Sequence, residues 1–357
     1  MSIRWVGYCA PGHVIIPGMR ISDIGEFGLV ARLDEVVAGA PRPAGLVLGM
    51  GDDAAAWSSL PGITLATADC LVEGVHFTLE TTGWFELGWK AMASNLSDIA
   101  AMGGRAAYAL VTLGLPPQTE VEDVVAFYRG MNELARQHGV TIAGGDTSRS
   151  ETLFFSLAVI GQAQGRIMER SRAAPGDAIA VTGCPGAAAA GWKLLQAGRQ
   201  NEAGAQGLVQ AFLKPAPRLR EGQSLLEAGV RAAIDISDGL AADLEHICRC
   251  SSTGAVVKLA DIPLHPRARD LFGEDAIGMA LGGGEDYELL FTAGQETLAK
   301  LVENARVKYT VIGEVTSNHP GSAVFLDTAG KQYRGFERGW QHFASRQQSG
   351  HQQRRPV

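Results

Sequence analysis

Apolar and polar positions change their spacing repeatedly along the chain, and the changes mark alternating strands and helices. Residues 26–37 carry an amphipathic pattern that predicts a short first helix, and Ile63 to Thr67 reads as a strand. Trp84 to Met102 is a long run of Ala, Leu, Ile and Met broken by polar residues at helical spacing, which predicts one continuous helix. Ala107 to Leu113 reads as a strand stopped by Pro116-Pro117, and Val121 to His138 as a helix closed by Gly139. Val140 to Ala143 and Leu153 to Gly161 add two further strands.

The Pro-Gly segment "RSRAAPGD" (Arg170 to Asp177) then interrupts the pattern as a connector. Beyond it, Ala178 to Thr182 is a predicted strand, Gly183 to Gly186 a turn and Ala187 to Gln196 a helix. Strands are expected at Ala232–Ile236, Val256–Leu259, Tyr287–Thr292 and Val311–Val315, with a helix from Gly239 onward. The alternation indicates mixed α and β structure in two units. The expected organisation is an extension over residues 1–20, a first domain over 21–165, a second over 166–345 and a polar tail over 346–357.

Composition narrows the class. The 357 residues are 46% hydrophobic and 19% charged, which suits a globular fold rather than a disordered chain. The formal net charge of −7, with no long basic run, argues against nucleic acid as a partner. Five cysteines are too few and too scattered for a disulfide framework, and Cys248-x-Cys250 lacks a second pair at zinc spacing, so reduced thiols are expected. No apolar run approaches the ~20 residues of a membrane helix. A cytoplasmic location, away from membranes, is the expectation.

One stretch looks at first like a dinucleotide-binding turn. In "GLVLGMGDDAAAW" (Gly45 to Trp57) an apolar run meets G-x-G-x-x-A, and Asp69 follows at the spacing of a ribose-binding carboxylate. The reading fails on two counts. Asp52 and Asp53 would sit where a pyrophosphate rests, and Ser58 to Gly62 stops any following helix after one turn. The chain also has no G-x-x-x-x-G-K-[ST] loop.

In place of such loops it carries aspartates beside glycine or small residues: Asp52, Asp53, Asp69, Asp98, Asp146, Asp235 and Asp238, with Glu285 and Asp286 in "GGGEDYE". Each alone is ordinary turn chemistry. Asp98 differs, because Lys90, Ser94, Asn95 and Asp98 form one polar stripe on an otherwise apolar helix. A solvated face would carry Glu and Lys more readily than Ser, Asn and Asp. Carboxylates converging in a cleft repel one another unless a hard cation joins them, and Mg²⁺ binds oxygen ligands together with substrate phosphates. Other residues read two ways. His76 is a semi-buried side chain or a ligand contact. Gly183-x-x-Gly186 is a plain turn or an approach to a nucleotide. Arg170 and Arg172 are linker charges or phosphate contacts, and Trp340 pins the tail or stacks on a flat ring.

These segments together resemble the thiamine-monophosphate kinase family, within the ATP-using group that includes aminoimidazole ribonucleotide synthetase. The resemblance runs from about Gly25 to Phe343 and rests on "GEFGLVARL", "GDDAA", "DCLVEGVHF", "KAMASNLSDIAAMGG", "GGDTSR", "RAAPGDAIAVTGCPGAAAAG", "IDISDGLAADL" and "GGGEDYELLFT". It implies an α/β (α+β) fold of two domains, the aminoimidazole ribonucleotide synthetase-like fold. The N-terminal sheet would pair with that of a second subunit in a homodimer, and the C-terminal domain would close over ATP. Transfer of a phosphoryl group from ATP to thiamine monophosphate, with several Mg²⁺ ions, is the implied reaction. The implied metal ligands are Asp53, Thr67, Asp69, Asp98, Asp146, Asp235 and Asp238, with Asp53, Asp69 and Asp98 at the reacting phosphates. The implied ATP contacts are Tyr128, Gly145, Asp146, Arg170 and Ser237. The implied acceptor contacts are His76, Glu285 and Trp340. Two positions depart from the pattern: Ala68 stands where a hydroxyl residue usually precedes the aspartate, and Ala106 where a proline is common.

Overall fold

The computed structural model describes residues 18–38, 45–48, 55–59, 62–304, 306–336 and 339. The expected extension up to residue 17, Asp52, Asp53, Trp340 and the polar tail lie outside the described residues.

The first unit opens with α1 (Ile21–Ala38), which starts earlier than the pattern suggests and changes direction at Gly25. A two-stranded ribbon follows, β1 (Leu46–Leu48) against β2 (Ala56–Trp57). Then come β3 (Ile63–Val72), α2 (Trp84–Ala101), β4 (Arg105–Leu115), α3 (Val121–Gln137), β5 (Thr141–Arg149) and β6 (Phe154–Ala163). Their sheet has the order β3-β6-β4-β5, antiparallel except for the β4–β5 pair. Strict alternation along β6 puts Phe155, Leu157 and Val159 beneath the helices and leaves Ser156, Ala158 and Ile160 on the other face. Through the register, Ala66, Ala68 and Cys70 of β3 and Leu110 and Thr112 of β4 share that second face, which is only partly covered.

A 3₁₀ turn at Arg170–Arg172 leads into the second unit. It contains β7 (Ala178–Thr182), α4 (Ala187–Gln196), α5 (Gln206–Leu213), α6 (Leu219–Ala228), β8 (Ala232–Asp235), α7 (Leu240–Ser251) and β9 (Gly254–Lys258). It ends with α8 (Pro266–Phe272), α9 (Asp275–Gly282), β10 (Leu289–Ala293), α10 (Gln295–Asn304), β11 (Tyr309–Thr316) and β12 (Ala323–Leu326). Six strands form one sheet, β12-β9-β11-β7-β10-β8, antiparallel except at β12–β9. Strands β7, β8 and β10 are buried throughout, as their near-continuous apolar composition requires.

Helix α2 is where the two units meet. It is buried on almost every side because α3 and the first sheet cover part of it and α5, α6 and β8 cover the rest. Trp89 Nε1 donates to the Pro215 carbonyl at 2.8 Å, and Gln223 Nε2 to that of Gly104 at 3.1 Å. Gly222 lets α6 approach closely: a Cβ there would lie 2.1 Å from the Ala100 carbonyl oxygen. Buried side chains of both units, from Leu96 and Ala100 to Leu225, Leu289 and Phe291, belong to one continuous apolar cluster. Among the described residues, Cys70, Cys184, Cys248 and Cys250 are free thiols and no helix is long and apolar enough to cross a membrane.

Candidate active site

The polar stripe on α2 is not a solvated face. Lys90, Ser94, Asn95 and Ser97 are buried and Asp98 is half-buried, all facing elements of the rest of the chain. On the sheet side, Thr67 and Asp69 point toward α2, because they pair with the buried Val159 and Leu157 of β6. Thr67 Oγ1 donates to Asp98 Oδ2 at 2.5 Å. On the other side, Ser97 Oγ donates to Asp235 Oδ2 at 2.8 Å, at the end of β8.

Three carboxylates from three elements therefore share one region, and their charges oppose each other. Burial pushes Asp98 up to about 6, with the Asp69 charge adding to the shift and the Thr67 hydroxyl and Arg170 acting against it. Asp235, 2% exposed, is pushed up to about 7 by burial and then by Asp98, while the Ser97 hydroxyl and Arg170 pull the other way. Arg170, on the 3₁₀ turn, is thus the cation that faces both. The carboxylates sense each other, yet among the described residues no three acidic, histidine or cysteine side chains enclose a metal-sized space by themselves.

Beyond Asp235 the chain turns through Ser237 and Asp238 into α7. The turn is held from behind: the backbone N–H groups of Ser237, Asp238 and Gly239 all donate to Asp243 Oδ2 at 3.1 Å. Three convergent donors suit a carboxylate, and they set the loop's shape. The loop carrying Glu285 lies against it, with Glu285 N donating to the Ser237 carbonyl and Tyr287 N to that of Ile236, both at 2.9 Å. Glu285 itself is ion-paired with Lys90 of α2 at 2.8 Å.

His76 follows β3 and is buried. Its Nδ1 accepts the Val72 N–H at 3.0 Å, which places the proton of a neutral His76 on Nε2. The remaining residues stand apart. Gly145 and Asp146 are on β5, at the opposite edge of the sheet from β3, about 14 Å away at ordinary strand spacing. Asp146 also points to the other face, since it aligns with Thr112 and, through β6, with Cys70. Tyr128 is 3% exposed within the core beneath α3, edge-on to Phe127, and burial drives its hydroxyl pKa well up. Within the chain, Tyr128 is enclosed by the core, and Gly145 and Asp146 lie on the strand at the far edge of the sheet from Asp69. Asp53 and Trp340 lie outside the described residues.

The Gly183–Gly186 segment is a plain strand-to-helix turn. A Cβ on Gly183 would collide with the Glu288 carboxylate, and one on Gly186 with the backbone of Ala280. The start of α4 is already capped: Asp286 accepts the N–H groups of Gly186 and Ala188 at 2.6 and 3.0 Å. Glu288 is held by Thr182 and, through both its oxygens, by Arg218. Sequence reasoning does not single out Ser97 or Asp243. Ser97 carries no local signal, whereas Asp243, four residues after a glycine that opens a helix, sits where a carboxylate can reach back to a loop.

The whole chain is also similar to known proteins. Residues 51–163 match the family model described as AIR synthase related protein, N-terminal domain, and residues 174–325 match its C-terminal domain. The thiamine-monophosphate kinase of Escherichia coli (strain K12) is 37% identical over 329 residues, 90% of this chain and 99% of that protein. The crystal structure of thiamine-monophosphate kinase from Stenotrophomonas maltophilia K279a is similar with a TM-score of 0.75 and 37% identity, covering 87% of this chain and 98% of that one. A solved structure of AaThiL complexed with AMPPCP and TMP is similar with a TM-score of 0.72 and 32% identity, covering 91% and 99%. The chain belongs to the thiamine-monophosphate kinase family, built on the two AIR synthase related domains.

Proposed function

We propose that this chain transfers the γ-phosphoryl group of ATP directly, in line, onto the phosphate of thiamine monophosphate. The products are thiamine diphosphate and ADP, in the last step of thiamine diphosphate biosynthesis. The observation that carries the reading is the relative complexed with AMPPCP and TMP, whose length this chain covers almost completely. A methylene-bridged ATP analogue beside TMP is the pair of ligands a phosphoryl transfer between them requires.

Two anions must meet for this reaction, so alignment and charge neutralisation matter more than covalent help. The acceptor's second ionisation lies near pH 6, and no strong base is needed. The donor set of Thr67, Asp69, Asp98, Asp235 and Asp238 is all oxygen, and Asp69, Asp98 and Asp235 within it repel one another, which suits a hard dication. Mg²⁺, when bound, would supply the charge that lets both phosphates approach. Asp53 belongs to the proposed ligand set, and Asp146, which faces away from Asp98 within its own chain, would join it only from the second subunit of the proposed dimer.

Among the chain's own groups, Arg170 and Ser237 would hold the nucleotide; Gly145 would reach it only from a second subunit, and Tyr128 only if the core around it opened. His76, Glu285 and Trp340 would contact the acceptor. The partly covered sheet face around Ala66, Ala68, Leu110, Ala158 and Ile160 supports a homodimer formed sheet to sheet. The proposed domain boundary falls near residue 165, and the proposed location is the cytoplasm.

The test is ADP formation by the purified full chain. Turnover is expected to need both Mg²⁺ and thiamine monophosphate, with thiamine diphosphate as the phosphorylated product. ADP release without thiamine monophosphate, or none with it, would refute the reading.

A further inference from the structure

Lys90 and Glu285 form an ion pair in a place that does not favour one. Their side chains are 4% and 3% exposed, and Lys90 Nζ also lies 3.6 Å from the centroid of the Phe212 ring. Moving both charges out of water costs several kcal/mol per ion before their attraction offsets it, and an apolar pair of similar volume commonly serves stability as well or better. The neighbouring positions on α2, Trp89, Ala91 and Met92, are apolar, and Phe212 offers an apolar partner, so packing alone does not call for a lysine.

The backbone on the Glu285 side is strained. Glu285 has φ +66° and Tyr287 φ +51°, conformations that side-chain-bearing residues rarely adopt. Such strain persists where the surroundings over-determine it, commonly at ligand-holding segments. Here the surroundings are identifiable: the hydrogen bonds from Glu285 N and Tyr287 N to the carbonyls of Ser237 and Ile236, and Lys90 on the side chain. Among the described residues, the Glu285 carboxylate makes its side-chain hydrogen bond through Oε2 alone.

We propose that Lys90 is a positioning residue for the acceptor: by binding Oε2 it turns Oε1 of Glu285 toward the ligand. This rests on the reading of Glu285 as an acceptor contact. A carboxylate held in this way matches the cationic thiazolium or the amino group on the pyrimidine of thiamine monophosphate, and not its phosphate. Lys90 also lies two turns before Asp98 on the same rigid helix, about 12 Å along its axis. The acceptor's ring end and its reacting phosphate are thereby measured off along one element.

The test uses the full chain and its Lys90→Met, Glu285→Gln and double variants, with ATP and thiamine monophosphate varied separately and unfolding midpoints recorded. Lys90→Met is expected to raise the KM for thiamine monophosphate at least tenfold and leave that for ATP within threefold. The double variant, which leaves no lone buried charge, is expected to regain the unfolding midpoint but not the acceptor KM. A normal acceptor KM in the double variant, or equal changes in both KM values in Lys90→Met, would overturn the proposal. If Lys90→Met fails to fold, Lys90→Arg, which keeps the charge but moves the donor, carries the readout: a raised KM for thiamine monophosphate with that for ATP unchanged is expected, and unchanged KM values for both would overturn the proposal. Wild-type turnover of thiamine monophosphate, measured alongside, separates failure of this inference from failure of the kinase reading.

Discussion

Ser97 and Asp235 are 138 positions apart in the chain and joined by a 2.8 Å hydrogen bond. The serine belongs to α2 of the first unit and the aspartate to β8 of the second. A second polar tie, Lys90 to Glu285, crosses the same boundary two turns earlier on α2. Between them the helix grips both loops of the second unit that border the carboxylates.

Ser97→Ala should therefore loosen the site as well as the fold. Asp235 would lose the donor that opposes its burial, and a hydrogen bond to a charged group contributes roughly 1–3 kcal/mol. The expected result is a loss of that size in unfolding free energy, read by denaturant titration, with turnover reduced about tenfold or more. Unchanged turnover would show that the contact serves the fold alone.

Asp69→Asn and Asp98→Asn should each lower turnover by at least two orders of magnitude while circular dichroism stays native. The Asp98 and Asp69 charges oppose each other, so removing one relieves that repulsion as it disables the chemistry. Retained turnover in both variants would refute the shared-metal assignment.

Asp286 offers a pH test away from the reacting phosphates. Burial, opposed by the N–H groups of Gly186 and Ala188 and reinforced by Glu288 and Glu285, pushes it up to about 7. Its ordinary value is about 3.9, so the folded protein binds the extra proton between those limits. The Asp286 contribution to stability is then fully present at low pH and lost as pH rises through about 7. Asp286→Asn lacks this term. From pH 5 to pH 8 the denaturation midpoint of the wild type should fall relative to that of the variant; parallel curves would contradict the assignment.

Ala158→Glu tests the sheet-to-sheet dimer. It places a charge in the middle of the partly covered face, opposite Ala68 and Leu110. Sedimentation velocity should show a dimer for the wild type and a monomer for the variant. A monomeric wild type would remove the dimer from the proposal.

Much of the architecture could be read from local signals. Strand Ala178–Thr182, its turn and helix Ala187–Gln196 have the expected bounds because glycine, proline and an alanine run mark them unambiguously. Strands β3 and β5 run beyond their expected ends for a shared reason. Asp69 and the Gly144-Gly145-Asp146 run look like breaks in an apolar pattern, yet pairing with β6 and β4 carries the ladder through them. No helix is read between Gln196 and Ala232, where α5 and α6 lie, since their apolar faces are defined by α4 and α2 rather than by caps. The gathering of Asp69, Asp98 and Asp235 was foreshadowed by small residues around each. The partners of Lys90 and Ser97 were not, because nothing local to α2 says which loop of the second unit it meets.

The unbroken apolar cluster around α2 makes the Pro-Gly connector a misleading place to cut. Either half produced alone would present a broad oily surface to water, and clumping is the expected fate of both. Heat or denaturant should melt the chain in a single step. Hybrids that splice one relative's front half to another's back half should succeed only where the residues facing α2 are exchanged as a set.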